Sequence, residues 1–336
     1  MTVQHNRAVF WDYFPVAPYD ATDECAIIYN KSTKFNGTAP LMIGLHGHGG
    51  DAYSLSPALT YFSHNMIQFA RAGWIVVSMG AGLRGRGWSS PPTDARITAA
   101  VTWAKTGVGS GGLGAKNSKH FFYGYSMGGG NALVATRLHP AEVAATIAVA
   151  PAVDIDAFAA PVGAIRNEIQ ALYATYSTTA SESKSITGAS TTLLVASTAA
   201  FPASGTCLVW NATAVFELGY TSKDATHFYG VTYGLGTATV TNADTIYPGG
   251  MYNSSLGYVP LYDAQHGLWD ATAITVPVHV IGGGADATIT PAMLTAFFAA
   301  ITNANISRFT FPTATHTDVF QYMPTDMNIA WMAQFL

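Results

Sequence analysis

The residues with the clearest chemical meaning are Gly124-Tyr-Ser126-Met-Gly128. The apolar stretch His120-Phe-Phe-Tyr runs into them, and a stretch of helical character from about Asn131 to Leu138 follows. Strand, G-x-S-x-G, helix is the context that places a serine hydroxyl on a sharp turn at the end of a buried strand. Such a turn strains the backbone at the serine, and side chains at the flanking glycines would collide with neighbouring elements. The hydroxyl would face a helix N-terminus, whose N–H groups favour negative charge. The chemistry expected is nucleophilic attack on a carbonyl carbon through a covalent intermediate. The plainer alternative is an ordinary strand-to-helix turn in a chain of 33 glycines.

A serine hydroxyl needs a base within hydrogen-bond reach and a carboxylate to orient that base. In a doubly wound sheet these groups belong on loops at the C-terminal ends of strands. The carboxylate expected is Asp286, in Gly282-Gly-Gly-Ala-Asp286-Ala-Thr-Ile-Thr-Pro291 after the strand Val276 to Ile281. Asp154, after the strand Ala145 to Ala150, is its rival, with Asp156 behind it. Asp286 is preferred because its strand and loop immediately precede those of the base. The base expected is His316, which follows the last strand, Ser307 to Phe311, and precedes the last helix, Thr325 to Phe335. Nine other histidines compete from termini, helices, strands and the middle of the chain.

A developing oxyanion needs two backbone N–H donors. One is expected from Met127. The other is expected from His48, with Gly49 second, in the loop His46-Gly-His48-Gly49-Gly50 after the apolar strand Leu41 to Leu45. The side chains of His46 and His48 could instead bind a metal, but without an obvious carboxylate or third ligand at suitable spacing a metal site is not the expectation. Arg84, Arg86 and Trp88 follow the strand Trp74 to Ser78 on the same edge. Two readings stand equal there: contact with a polar substrate group, or arginine ion pairs with the tryptophan packing the loop.

These motifs need a scaffold of alternating strands and helices. The strand Ala26 to Tyr29 comes early, and helices are expected over Ala58 to Ala72, Thr93 to Lys105 and Pro291 to Ile301. Pro91-Pro92 opens the second of these, with Thr93 as its cap. Runs such as Leu41-Met-Ile-Gly-Leu45 suit strands buried on both faces of a parallel sheet. The alternation breaks in the middle, where 157–176 reads as helical and 185–250 as short strands and turns rich in Thr, Val, Tyr and Gly. The α/β pattern then returns. The expected organisation is an α/β core over 1–156 and 263–336, with an inserted cap or accessory region over 157–262.

The 336 residues are 49% hydrophobic, enough for a large core, while only 10% are charged and the net charge is −4. A nucleic-acid or anionic-membrane partner is not suggested by such a balance. Cys25 and Cys207 read as buried thiols, with a disulfide as the alternative. No run reaches the length of a membrane span, and the first residues lack the features of a signal peptide, so a soluble protein is expected.

With strand–HGHGG, strand–GYSMGGG, strand–GGGADATITP and a terminal strand–His in this order, the chain resembles α/β-hydrolase-fold serine esterases over about residues 20–156 and 263–336. The resemblance implies a mostly parallel doubly wound sheet. It implies Ser126 as nucleophile, His316 as base, Asp286 as its orienter, Met127 and His48 as oxyanion donors, an ester substrate and no cofactor. A serine peptidase on the same fold and a non-catalytic binding protein are the alternatives.

The insert carries a second resemblance. Thr191 to Thr206, ending Phe-Pro-Ala-Ser-Gly-Thr, and Glu217 to Gly236, with Glu-Leu-Gly-Tyr-Thr and Gly-Val-Thr-Tyr-Gly-Leu-Gly, are similar to a small β module of bacteriophage virion and tail proteins. Tyr233 stands where that module usually has Arg. The resemblance implies a tail-associated or extracellular esterase acting on a surface polysaccharide or lipid, with assembly into an oligomer or virion; a β module borrowed by a bacterial enzyme is the alternative.

Overall fold

The computed structural model describes residues 9–15, 24–30, 37–50, 65–79, 88, 91–154, 177–201, 203–210, 215–234, 236–248, 274–301 and 306–336. The chain divides into two compact units, Met1–Val153 with Ala271–Leu336, and Asp154–Asp270.

In the first unit, β1 (Val9–Pro15) and β2 (Glu24–Asn30) form an antiparallel pair. Then come β3 (Leu41–Leu45), helix α1 (65–71), β4 (Ile75–Met79), α2 (Pro91–Lys105), β5 (His120–Tyr125), α3 (Met127–Leu138) and β6 (Val143–Val149). The second unit contributes β7 (Thr178–Thr179), β8 (Lys184–Ile186), β9 (Thr191–Leu194), β10 (Gly205–Trp210), β11 (Val215–Tyr220), β12 (Ser222–Lys223), β13 (His227–Val231), β14 (Ala238–Val240) and β15 (Thr245–Pro248). The first unit resumes with β16 (Val278–Gly283), α4 (Pro291–Ala300), β17 (Ile306–Phe311), α5 (Val319–Tyr322) and α6 (Thr325–Ala333).

One eight-stranded sheet carries the first unit, in the order β1-β2-β4-β3-β5-β6-β16-β17. The six strands from β4 to β17 are parallel, and β2 joins β4 antiparallel. Every residue of β3, β4 and β5 is buried, as expected of strands covered on both faces. Alternation decides which face each residue serves. Leu41, Ile43 and Leu45 pack with Ile97, Val101 and Ala104 of α2, whereas Met42 and Phe121 pack with Met66 and Phe69 of α1. After β3 the chain places β4 on one side, and β5 on the other. That reversal opens the crevice where ligands of open α/β sheets bind, and the loops after β3 and β5 flank it.

The second unit is built from antiparallel sheets, ordered β11-β10-β15-β7, β12-β13-β9 and β14-β8. Leu193, Phe201, Val209, Phe216, Leu218, Phe228 and Ile246 fill its own core. Cys207 is buried on β10 and stands outside any disulfide, which removes the Cys25–Cys207 pairing. The helix expected over 157–176 lies outside the described residues.

Two helix starts differ from the sequence expectation. Helix α3 begins at Met127 rather than near Asn131. Glycines 128–130 argue locally against helix, but tertiary packing overrides that preference. Helix α2 begins at Pro91, so Thr93 lies inside it, buried, instead of capping it. Prolines suit a first turn, where their missing N–H has no helical partner anyway. The short helix α5 is an addition. Among the described residues, no helix is long and apolar enough to cross a membrane.

Candidate active site

Ser126 follows β5 directly and stands at the N-cap of α3 at φ 53° and ψ −120°, a strained conformation for a residue with a side chain. Its backbone is held from both sides. Its N–H donates to the Val149 carbonyl at 2.9 Å, and its own carbonyl accepts from Gly130 and Ala152, both at 3.0 Å. A Cβ on Gly124 would stand 2.2 Å from the Gly128 carbonyl oxygen, and one on Gly128 would stand 2.1 Å from that of Leu45. The two glycines therefore let the turn close on itself and press against the end of β3.

That contact brings the loop after β3 to the serine. A Cβ on Gly47 would lie 3.3 Å from the Ser126 Cβ. The loop is pinned by His46, fully buried, whose Nδ1–H donates to the Gly47 carbonyl at 2.8 Å. Gly50 N–H closes a turn on the same carbonyl, with Gly49 at φ 71°. His48 is exposed, and its ring lies 5.2 Å from that of Trp88. Trp88 is itself buried, which favours its packing role over substrate contact. Arg84 and Arg86 lie outside the described residues.

The loops after β16 and β17 are zipped together by backbone. Gly284 N–H donates to the Phe311 carbonyl at 2.8 Å and Ala285 N–H to that of Ala314 at 3.0 Å. Side chains would forbid this approach: a Cβ on Gly283 or Gly284 would meet a carbonyl oxygen of the other loop at 2.3 Å. Asp286 sits on the first loop with its side chain wholly buried. Its Oδ1 accepts the N–H groups of Thr288 and Ile289, both at 2.8 Å. His316 sits on the second loop, whose turn is held by the Thr315 N–H bonded to the Asp318 carboxylate.

The structure brings Ser126, His316 and Asp286 into one line. His316 Nδ1 is 2.8 Å from Asp286 Oδ2, and His316 Nε2 is 2.9 Å from Ser126 Oγ. A carboxylate only accepts, so Nδ1 carries the proton and donates to Asp286. The lone pair on Nε2 then faces the serine hydroxyl. The carboxylate partner of the histidine is thus Asp286, and Asp154 is buried after β6. Competing histidines have other partners: His139 bonds Asp94 at 2.9 Å, His227 bonds Asp224 at 3.2 Å, and His279 bonds Ser307 at 2.6 Å. His5, His64 and His266 lie outside the described residues. Among the described residues, no group of three His, Cys, Asp or Glu could hold a metal ion.

One neighbour of the site escaped sequence reasoning. Tyr125 donates its hydroxyl to the His316 backbone carbonyl at 2.9 Å. Its ring centroid is 5.2 Å from that of His316 and 4.7 Å from that of Phe320. Burial, and then the nearby charge of Asp286, push the Tyr125 hydroxyl above its ordinary value, so it remains a donor. Spacing offers no signal for this role; an aromatic residue at the second position of the motif is the only hint.

Residues 59–203 match the model of a family described as serine aminopeptidase, S33. Among solved structures, the chain is similar to the esterase Pf2001 of Pyrococcus furiosus, with 11% identity, 98% of this chain and 91% of that chain covered, and a TM-score of 0.54. It is also similar to Est1E from Butyrivibrio proteoclasticus with ferulic acid bound, with 14% identity, 96% and 97% coverage, and a TM-score of 0.50. No curated protein sequence matches it. Together with the strand order, these likenesses establish the α/β-hydrolase fold.

Proposed function

We propose that the protein is a serine carboxylester hydrolase. The observation that carries this reading is the line of hydrogen bonds from Asp286 through His316 to Ser126. Ser126 Oγ attacks the ester carbonyl carbon as its proton passes to His316 Nε2. The Asp286 carboxylate balances the imidazolium that forms. The N–H groups of Met127 and His48 receive the oxyanion, and the adjacency of the Gly47 loop to Ser126 supports this assignment. The imidazolium then protonates the departing alcohol. Water, deprotonated by His316, cleaves the acyl-enzyme and releases the acid.

Hydrolysis of p-nitrophenyl acetate by the wild type and by Ser126→Ala tests this. The substitution is expected to lower kcat by a factor on the order of ten thousand or more. Equal rates would remove the reading. Asp286→Asn is expected to cost more than Asp154→Asn in the same assay. A second reading, an aminopeptidase, is favoured by the description of the matching family. Turnover of alanine p-nitroanilide above that of the acetate ester would select it.

For the natural substrate, the sequence likeness of residues 191–236 to a virion module supports an acylated surface polysaccharide or lipid as the target, with the enzyme carried on a phage tail. Release of acetate or longer acids from isolated bacterial surface polymers measures this. A rate below that on p-nitrophenyl acetate for every polymer and lipid tried would set it aside.

A further inference from the structure

The catalytic base hangs from a loop between β17 and α5, yet its hydroxyl partner rides on β5. Two separately built elements must therefore be kept in register to within tenths of an ångström. The Asp286 contact fixes the imidazole from the side away from the serine. The zipper between the β16 and β17 loops ties that pair to each other, and neither of these contacts reaches β5.

Tyr125 makes the link. It is the residue immediately before Ser126 and the last residue of β5. Its hydroxyl bonds the backbone carbonyl of His316, its ring lies beside the imidazole, and its other neighbour is Phe320 at the start of α5. Its ring is itself wedged: a Cβ on Gly47 would stand 3.0 Å from Tyr125 Cδ1. The residue is 4% exposed, so its ring is held in the protein interior. One side chain thus touches the β3 loop, the nucleophile strand and the loop of the base.

We propose that Tyr125 is a positioning residue that sets the distance between Ser126 Oγ and His316 Nε2 by tying the His316 backbone to the nucleophile strand. The proposal rests on the serine-hydrolase reading above. Tyr125 transfers no proton and touches no reacting atom. It acts through the histidine, so its loss weakens nucleophile activation and leaves substrate affinity alone.

The test is Tyr125→Phe, which keeps the ring and its packing and removes only the hydroxyl. The full chain is assayed with p-nitrophenyl acetate and with a fluorophosphonate probe, which reports the reactivity of Ser126 without substrate binding. Both are read well below the melting temperature. The expected result is a fall of about fivefold in kcat, the factor a neutral hydrogen bond is worth, with KM unchanged. The phosphonylation rate is expected to fall by the same factor. Tyr125→Leu, which also removes the ring beside the imidazole, is expected to lose more in both. Unchanged kcat and phosphonylation in Tyr125→Phe, or a loss confined to KM or to the melting temperature, would overturn the proposal. Ser126→Ala separates the two levels. If it retains turnover, the hydrolase reading falls and this one with it. If it is inactive while Tyr125→Phe behaves as wild type, only the role of Tyr125 falls.

Discussion

Beside Ser126, Asp286 and His316, several glycines stand where a Cβ would strike backbone. Gly124, Gly128, Gly283 and Gly284 would each place that atom within 2.3 Å of a carbonyl oxygen, and none has a positive φ. In the inserted unit the pattern reverses. Gly205 and Gly236 have φ of 143° and 119°, and nothing lies within 4 Å of their missing Cβ atoms. The first group exists for the neighbour, the second for its own backbone conformation. A glycine of the second kind is a local signal that any turn rule can read. A glycine of the first kind encodes a tertiary contact, and its meaning depends on residues far along the chain. Gly230 belongs to both, with φ 62° and Thr221 Oγ1 only 2.1 Å from its missing Cβ.

Substitution separates the two kinds. Gly128→Ala is expected to have the largest effect, because the Leu45 carbonyl it meets is part of a central strand. A loss above about 3 kcal/mol, or failure to fold, is expected, together with loss of Ser126 phosphonylation. Gly284→Ala should part the two loops instead, so activity should fall more than the melting temperature does. Thermal melts beside phosphonylation rates check both.

Acid offers a second division between the units. Burial holds His120 down to about 3 and His279 down to about 4, and both belong to the first unit. These groups are neutral when folded and take up protons when unfolded below pH 6.5. The first unit should therefore lose stability as pH falls from 6.5 toward 4, by up to about 1.4 kcal/mol per pH unit for each histidine. His120→Gln should flatten that slope in urea melts followed by tryptophan fluorescence. An unchanged slope would assign acid lability elsewhere.

Gly205→Ala should cost about 1 to 3 kcal/mol through backbone strain alone and leave kcat untouched. A cost equal to that of Gly128→Ala would erase the distinction between the two kinds. The smallest effect is expected at His139, which its hydrogen bond to Asp94 raises above the ordinary histidine value. Its contribution is full below pH 6.5 and disappears as pH rises past the raised value. With both side chains about a quarter exposed, Asp94→Asn should remove less than about 1 kcal/mol at pH 6.

The parallel strands were legible because each is a short apolar run, and apolar runs of that length have few other uses in a chain with helices between them. Ser126, Asp286 and His316 stood out because each follows such a run. Asp286 and Asp154 both follow buried strands, and what ties Asp286 to the histidine loop is tertiary: the backbone bonds of Gly284 and Ala285 and the close approach at Gly283 and Gly284. The start of α3 was obscured for the same reason. Three glycines weaken a helix locally, yet Gly128, Gly129 and Gly130 are required by Leu45, Pro151 and Ala152. Tyr125 was invisible because its partner is a backbone carbonyl 191 residues away, which no side-chain pattern marks.

The pairing of β6 with β16 has a consequence for how the molecule is made. Thr146 and Val149 lie opposite Val278 and Ile281, with the whole second unit between them in the chain. A ribosome delivering roughly 5 to 20 residues per second needs on the order of ten seconds to supply the missing strand. Throughout that interval β6 is the outermost strand of a half-built sheet, with an open row of N–H and C=O groups. Ser126 is already in the chain by then, while Asp286 and His316 have yet to be synthesised. The nascent protein therefore passes through a stage in which the line from Asp286 through His316 to Ser126 is unformed and β6 is open to stray strand pairing, and it leaves that stage when β16 docks.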